Sequence, residues 1–188
     1  MEDSIYTALK KKIEVLSPLS ETEWDDFSSS WRVTEASKNT YLLKPGQIEN
    51  YFYFMGQGVL RVFGQKEEEE INVGFTYDHE FSGVYDSFLA QKPTDLYLQA
   101  ITDCKMLRIS YDDLIGQIHQ YRSIERWNRK FNAEMLIGVS RRQVEARSFT
   151  AEEKYKRLVE NSPHIFQLVP QKYLASYLGM TPETLSRL

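Results

Sequence analysis

The period of the apolar residues changes twice along this 188-residue chain, and those changes limit the folds open to it. From Trp31 to Ser110 the apolar residues come in short alternating or aromatic-rich runs broken by turn residues, the pattern of half-buried antiparallel strands. Strands are expected near Trp31–Glu35, Asn39–Leu43, Tyr51–Met55, Val59–Phe63, Ile71–Tyr77, Leu96–Thr102 and Lys105–Ile109. Turns are expected at Lys44-Pro45-Gly46, Gly56-Gln57-Gly58, Gly64 to Glu70 and Thr102-Asp103-Cys104. So many short strands imply a sandwich or barrel. The segment Val84–Ala90 fits one or two helical turns better than a strand and interrupts the sheet. The run Glu67-Glu68-Glu69-Glu70 reads as a solvated hairpin tip without a role of its own.

Helical spacing governs both sides of this β region. Ile5, Leu9, Ile13 and Leu16 step along a first short helix that Pro18 closes, and Ser20 with Glu23 forms a capping box for a second. After Ser110 the helical period returns through Leu114, Ile118, Ile124, Trp127, Phe131, Met135 and Val139. A continuous helix from Ile124 to Arg147 would be about 36 Å long. Its seam of Ile124, Trp127, Phe131 and Met135 matches a coiled-coil stripe, with Gly138 allowing close approach, so it is expected to dimerise rather than pack on the chain's own β domain. Thr150 and Glu153 make another capping box, which ends the long helix and starts a new one. The expected division is a β domain at 1–115, a long dimerisation helix at 116–148 and a small helical domain at 149–188. The last is at the size limit for independent folding.

Composition narrows the function classes. No apolar run reaches membrane-spanning length, and the N-terminal MEDSIYTALKKKIEVL is not a signal peptide, so a cytoplasmic protein without a membrane partner is expected. Cys104 is the only cysteine, which excludes an internal disulfide and any multi-cysteine iron–sulfur or zinc site. His79, His119 and His164 share no evident metal or haem site. Without a histidine-carboxylate cluster, a Gly-rich phosphate loop or an activated nucleophile, the chain is read as no enzyme. Residues 1–110 carry a net charge of −7 and residues 111–188 a net charge of +3, so the back half is the part suited to a polyanion.

The ending QKYLASYLGMTPETLSRL is the most informative stretch. Leu174, Ala175 and Leu178 form the apolar face of a short helix, Gly179 supplies a left-handed cap, and Thr181 with Pro182 restarts a helix as N-cap and first residue. Leu185 and Leu188 are expected to return to the core while Glu183, Thr184 and Arg187 face outward. This is a helix-turn-helix whose second helix would lie in a major groove of double-stranded DNA. There Glu183 can accept from cytosine and Arg187 can donate to guanine. Gln171 and Thr181, at the starts of the two helices, complete the candidate DNA-binding set.

These features together resemble the Crp–Fnr superfamily of bacterial regulators over essentially the full chain. The resemblance rests on YLLKPGQIENYFYFMGQGVLRVF, the helix after it, the hinge at Thr150 and the ending GMTPETLSRL, where Glu183, Thr184 and Arg187 fall on the pattern E-T-x-x-R. It implies an α+β fold: an antiparallel β-roll (jelly-roll) like a cyclic-nucleotide-binding domain, flanking short helices, a long dimerisation helix and a C-terminal helix-turn-helix. It also implies a homodimeric transcription regulator, with RNA polymerase a further candidate partner. In cyclic-nucleotide-binding members a Gly-Glu pair and an Arg-Ser or Arg-Thr pair hold the ligand. In this chain Ser82-Gly83 and Thr94-Asp95 occupy those places, and the phosphate-binding arginine is missing. The corresponding degenerate pocket comprises Ser82, Gly83, Val84, Tyr85, Asp86, Thr94 and Asp95, with Met135, Val139 and Ser140 as the ligand-facing positions of the long helix. Weak or no binding of cyclic AMP is expected, because a buried phosphate needs a charge-assisted donor and Asp86 and Asp95 would repel it. No cofactor is assigned, and the pocket is either filled by side chains or built for another small ligand. The chain ends at Leu188 without a wing or basic tail, so modest and strongly salt-dependent DNA affinity is expected. The competing reading is a dimeric ligand-sensing or partner-binding module without effective DNA binding.

Overall fold

The computed structural model describes residues 2–188. The helical spacing at the N-terminus produces α1 (Glu2–Glu14), with Ile5, Leu9 and Ile13 buried. Next, α2 (Glu21–Ser29) begins at the expected capping box: Glu23 N–H donates to Ser20 Oγ, and Ser20 N–H donates to the Glu23 carboxylate.

The alternating runs form β1 (Arg32–Ala36), β2 (Tyr41–Leu43), β3 (Tyr51–Gln57), β4 (Val59–Lys66), β5 (Glu69–Tyr77), β6 (Phe81–Ser82), β7 (Leu96–Ala100) and β8 (Cys104–Ser110). The short helix α3 (Tyr85–Ala90) interrupts them where a helical turn was expected. Among the described residues these strands make two four-stranded sheets, in the orders β1-β8-β3-β6 and β2-β7-β4-β5. Strand β8 is the centre of the first sheet, pairing antiparallel with β1 from Arg32↔Arg108 to Ala36↔Cys104 and with β3 from Tyr51↔Ser110. Gly58 closes the β3–β4 turn at φ +94, where an added Cβ would sit 2.3 Å from the Asp103 carbonyl oxygen. Any side chain there would displace backbone.

Three local expectations change. Strand β6 is too short to leave a periodic signal, yet Phe81 pairs with Phe54 and Ser82 with Tyr53. The Gly64 to Glu70 turn contracts to Glu67 and Glu68, because β4 runs on to Lys66 and β5 begins at Glu69. Cys104 opens a strand instead of closing a turn.

The helical half comprises α4 (Tyr111–Gln120), α5 (Arg122–Ser148), α6 (Ala151–Asn161), α7 (Ile165–Leu168), α8 (Gln171–Leu178) and α9 (Pro182–Leu185). Tyr121 separates α4 from α5 with an extended backbone. The chain folds as two compact units, Met1–Val62 with Phe75–Ala133 and Phe63–Gly74 with Glu134–Leu188. The boundary therefore falls inside α5, and the tip of the β4–β5 hairpin joins the C-terminal helices.

The seam assigned to dimerisation requires correction. Ile124 and Trp127 are fully buried and Phe131 nearly so, inside the first unit's own core with Phe27, Trp31, Phe52, Phe54 and Leu107. Trp127 and Phe131 stack at 5.7 Å, and Phe131 meets Phe81 edge-on at 5.1 Å and Phe52 at 5.6 Å. Only Met135 of the four is exposed. An a/d stripe has the same spacing whether it faces a partner helix or the chain's own sheet, and burial against the aromatic rings of β3 and β6 won. Truncating Trp127 to Ala should accordingly lower the unfolding free energy by roughly 3–5 kcal/mol. Urea melts at protein concentrations low enough to hold the chain monomeric would read this loss; a variant as stable as wild type under those conditions would return Trp127 to an intermolecular seam.

Candidate functional site

In the first unit, the residues that the resemblance assigns to a ligand pocket surround α3. Ser82, Val84 and Thr94 are buried, whereas Asp86 and Asp95 point to solvent. Gly83 holds φ +144, a conformation that leads β6 into α3 and that an L side chain would strain. Thr94 is held in a local turn. Its Oγ1 accepts from Leu96 N–H, its N–H donates to the Gln47 carbonyl and its own carbonyl accepts from Gly46 N–H. Tyr85 uses its hydroxyl on the Asn132 side chain. Lys92 is exposed, and its carbonyl accepts from Ser87 Oγ.

Two charged residues that sequence reasoning did not single out lie inside this unit. Glu49 is 2% exposed; its carboxylate accepts from Tyr51 N–H at 3.1 Å and Val84 N–H at 3.4 Å. Ser87 Oγ receives Glu49 N–H, and Gln91 Nε2 donates to the Glu49 carbonyl, so with the Val84 amide this one residue ties the loop before β3 to α3 and its caps at three points. Burial pushes its carboxyl up to about 7, against the opposing pull of the two amides. Burial likewise raises the Tyr53 phenol, with the Glu49 charge adding to the effect. Arg61, on β4, is also 2% exposed and donates from Nε to Gln99 Oε1 at 2.9 Å. Arg61 was legible in principle: it alternates in phase with Val59 and Phe63, both buried, so period two sends it inward. Glu49 gave no such signal, because it lies in a loop.

The second unit holds the two C-terminal helices α8 and α9 and the turn between them. Leu174, Ala175, Leu178 and Leu185 are buried with Leu158, Ile165 and Val169, and Tyr155 packs edge-on to Phe166 at 5.4 Å. Gly179 ends α8 at φ 69 and ψ 39, and Met180 N–H reaches back to the Ala175 carbonyl, a left-handed cap closing the helix. Thr181 caps α9 by accepting Thr184 N–H, and Pro182 occupies the first turn. Gln171, Thr181, Glu183, Thr184 and Arg187 are all exposed. Glu183's own amide and the Thr181 hydroxyl hold its carboxyl below the usual range, so it stands as an acceptor. Leu188 departs from expectation: it is 44% exposed and does not join the core.

Met135, Val139 and Ser140, read as ligand-facing, belong to this second unit and are exposed, as are Leu136, Ile137 and Val144 on the same stretch of α5. A cavity of about 370 Å³ opens beside it, lined among others by Arg142, Lys154, Arg157 and Ser176. Arg157 pairs with Glu145 at 3.3 Å, while Lys154 forms no ion pair among the described residues.

Comparison with known proteins bears on both units. Residues 33–121 match the cyclic nucleotide-binding domain family. The match spans the β strands from β1 to β8 and helix α4. Curated protein sequences yield no match. Among solved structures the chain is similar to FixK2 from Bradyrhizobium japonicum, with 16% identity, 84% of this chain and 81% of that one covered, and a TM-score of 0.74. It is also similar to the c-di-GMP-responsive global regulator CLP of Xanthomonas campestris, with 16% identity over 89% of each chain and a TM-score of 0.66. A third similar structure is the Thermus thermophilus catabolite activator protein, at 20% identity, 90% and 81% coverage and a TM-score of 0.58. The chain thus has the fold of Crp/Fnr regulators, with a cyclic nucleotide-binding domain, a long helix and C-terminal helices. No helix among the described residues is long and apolar enough to cross a membrane.

Within the cyclic nucleotide-binding domain, Glu49 makes a pH signature. Its folded pKa lies above the ordinary value of 4.5, so the protonated carboxyl is the form that folding favours. That contribution is complete below about pH 4.5 and is lost as pH rises through about 7. Wild-type stability should therefore fall between pH 5 and 8 by on the order of 3 kcal/mol relative to Glu49→Gln. Parallel denaturant titrations across that range measure the difference; two curves that stay parallel would contradict the assignment.

Proposed function

We propose that the chain is a sequence-specific, DNA-binding transcription regulator of the Crp–Fnr type, acting in the cytoplasm as a homodimer, with a sensor domain poorly suited to cyclic AMP. The observation that carries the reading is the C-terminal pair α8 and α9. A left-handed glycine turn and a threonine cap join them, their apolar faces are buried, and Glu183, Thr184 and Arg187 are left in solvent. Those are the groups that would meet base edges, while Gln171 and Lys172 at the start of α8 would meet phosphates. The exposed apolar residues Met135, Leu136, Ile137, Val139 and Val144 of α5 are the surface that a second copy would cover. Pairing there would present two recognition segments to half-sites about 34 Å apart.

The sensor reading follows from charge. A buried cyclic phosphate needs a guanidinium clamp, and Thr94, a neutral residue whose hydroxyl accepts Leu96 N–H, stands where the family's clamp would be. The cation inside the domain, Arg61, is engaged by Gln99, and the nearby buried acid, Glu49, would oppose an anion. A different small ligand, or a direct physical signal, would act on α3 and α5 instead. RNA polymerase is the partner through which a bound regulator would act.

Selection of bound fragments from random duplex DNA at stated salt supplies the operator. On it, Arg187→Ala should weaken binding by about 1–3 kcal/mol and relax the preference at one base position. Unchanged affinity and unchanged preference would remove the support for this reading. Calorimetric titration with cyclic AMP should give no saturable binding in the micromolar range, and a micromolar site would overturn the account of the sensor.

A further inference from the structure

The acidic hairpin tip has a place in the second unit. Strand β5 is the last in its sheet order, so one row of its backbone groups is open to other partners. Helix α8, the first helix of the helix-turn-helix, supplies some of them. The Ser176 hydroxyl donates to the Glu70 carbonyl at 2.6 Å and accepts Asn72 N–H at 3.0 Å, bridging two backbone groups of the edge as a paired strand would. One residue further along, Arg142 of α5 donates to the Val73 carbonyl at 3.1 Å, and its guanidinium lies 4.8 Å from the ring of Tyr177 on α8. The hairpin edge, α5 and α8 are thus fastened together through residues 70–73.

This fastening carries charge with it. Glu67, Glu68, Glu69 and Glu70 are all exposed, and the first three form no ion pair among the described residues. Ser176 bonds to the backbone of the last of the four, so the acidic tip is held beside a helix that a DNA duplex would have to approach. At low salt, charges within about 10 Å of a phosphate backbone act on it strongly. Arg142, a cation that could answer a phosphate, is meanwhile occupied by a carbonyl and a ring.

We propose that the β4–β5 hairpin is an autoinhibitory lock, in which Ser176 fastens α8 to the edge of β5 and the glutamates of the tip repel DNA until the lock opens. The inhibitory half of this proposal rests on the chain being a DNA-binding regulator; the lock itself does not.

Two variants of the full chain separate the parts. Ser176→Ala removes the bridge at a helical position that alanine tolerates well. Amide hydrogen exchange should then show Asn72 N–H exchanging about tenfold faster, with the amides of β3 and β8 unchanged. The triple variant Glu67→Gln, Glu68→Gln, Glu69→Gln keeps the bridge and discharges the tip, so Asn72 should stay protected. On a duplex selected with wild-type protein, both variants should bind about three- to tenfold more tightly at 50 mM salt, and the gain should vanish by 0.5 M. Exchange at Asn72 that Ser176→Ala leaves unaltered would overturn the lock. Unaltered DNA affinity in the triple variant would overturn the inhibition. If neither wild type nor variant binds any duplex, the regulator reading and the inhibitory role fall together, and the Asn72 amide still decides whether the lock exists.

Discussion

The aromatic junction between α5 and the first sheet is the interaction on which the rest of the structure depends. Trp127 and Phe131 leave the helix on one face and meet Phe52 of β3 and Phe81 of β6, with Phe27 and Trp31 beyond them. Each ring is large enough that burying it outweighs any ordinary surface contact, and together they fix the rotation of the helix about its axis. Beyond Phe131 the helix leaves that core, and from Ala133 to Val144 every residue of α5 is exposed, Met135, Leu136, Ile137, Val139 and Val144 included.

The β domain applies the same economy of buried groups to its polar residues. Glu49 would be costly to bury as an isolated anion, and it is retained by two backbone amides and by a carboxyl held near neutrality. Arg61, equally buried, donates from Nε to the Gln99 side chain. Thr94, also buried, accepts Leu96 N–H on its hydroxyl and exchanges backbone hydrogen bonds with Gly46 and Gln47. Glu49, Ser87 and Gln91 together brace the loop before β3 against α3.

At the C-terminus the sequence was legible because each signal was local. A glycine cap, a threonine cap with proline behind it, and apolar residues at helical spacing all act within one or two turns, and each formed as read. The capping boxes at Ser20 and Thr150 are equally local, and both are present. Leu188 was misjudged for the complementary reason: helical spacing says which face a residue occupies, and whether anything covers that face depends on distant chain. Two-residue β6 and the loop residue Glu49 had no period to betray them.

By itself the sequence determined the kinds of element, their order and most of their ends, since hydrophobic period, turn residues and caps are short-range properties of the chain. It also determined which half of the chain carries the positive charge. Tertiary structure alone decided what each apolar stripe faces, because an a/d seam looks the same whether it meets a second copy or its own sheet. It also decided that a glutamate run read as a plain hairpin tip would be fastened to α8 through Ser176, a contact between residues more than a hundred positions apart. Such partners are chosen by competition among long-range packings, and no spacing rule along the chain records the outcome.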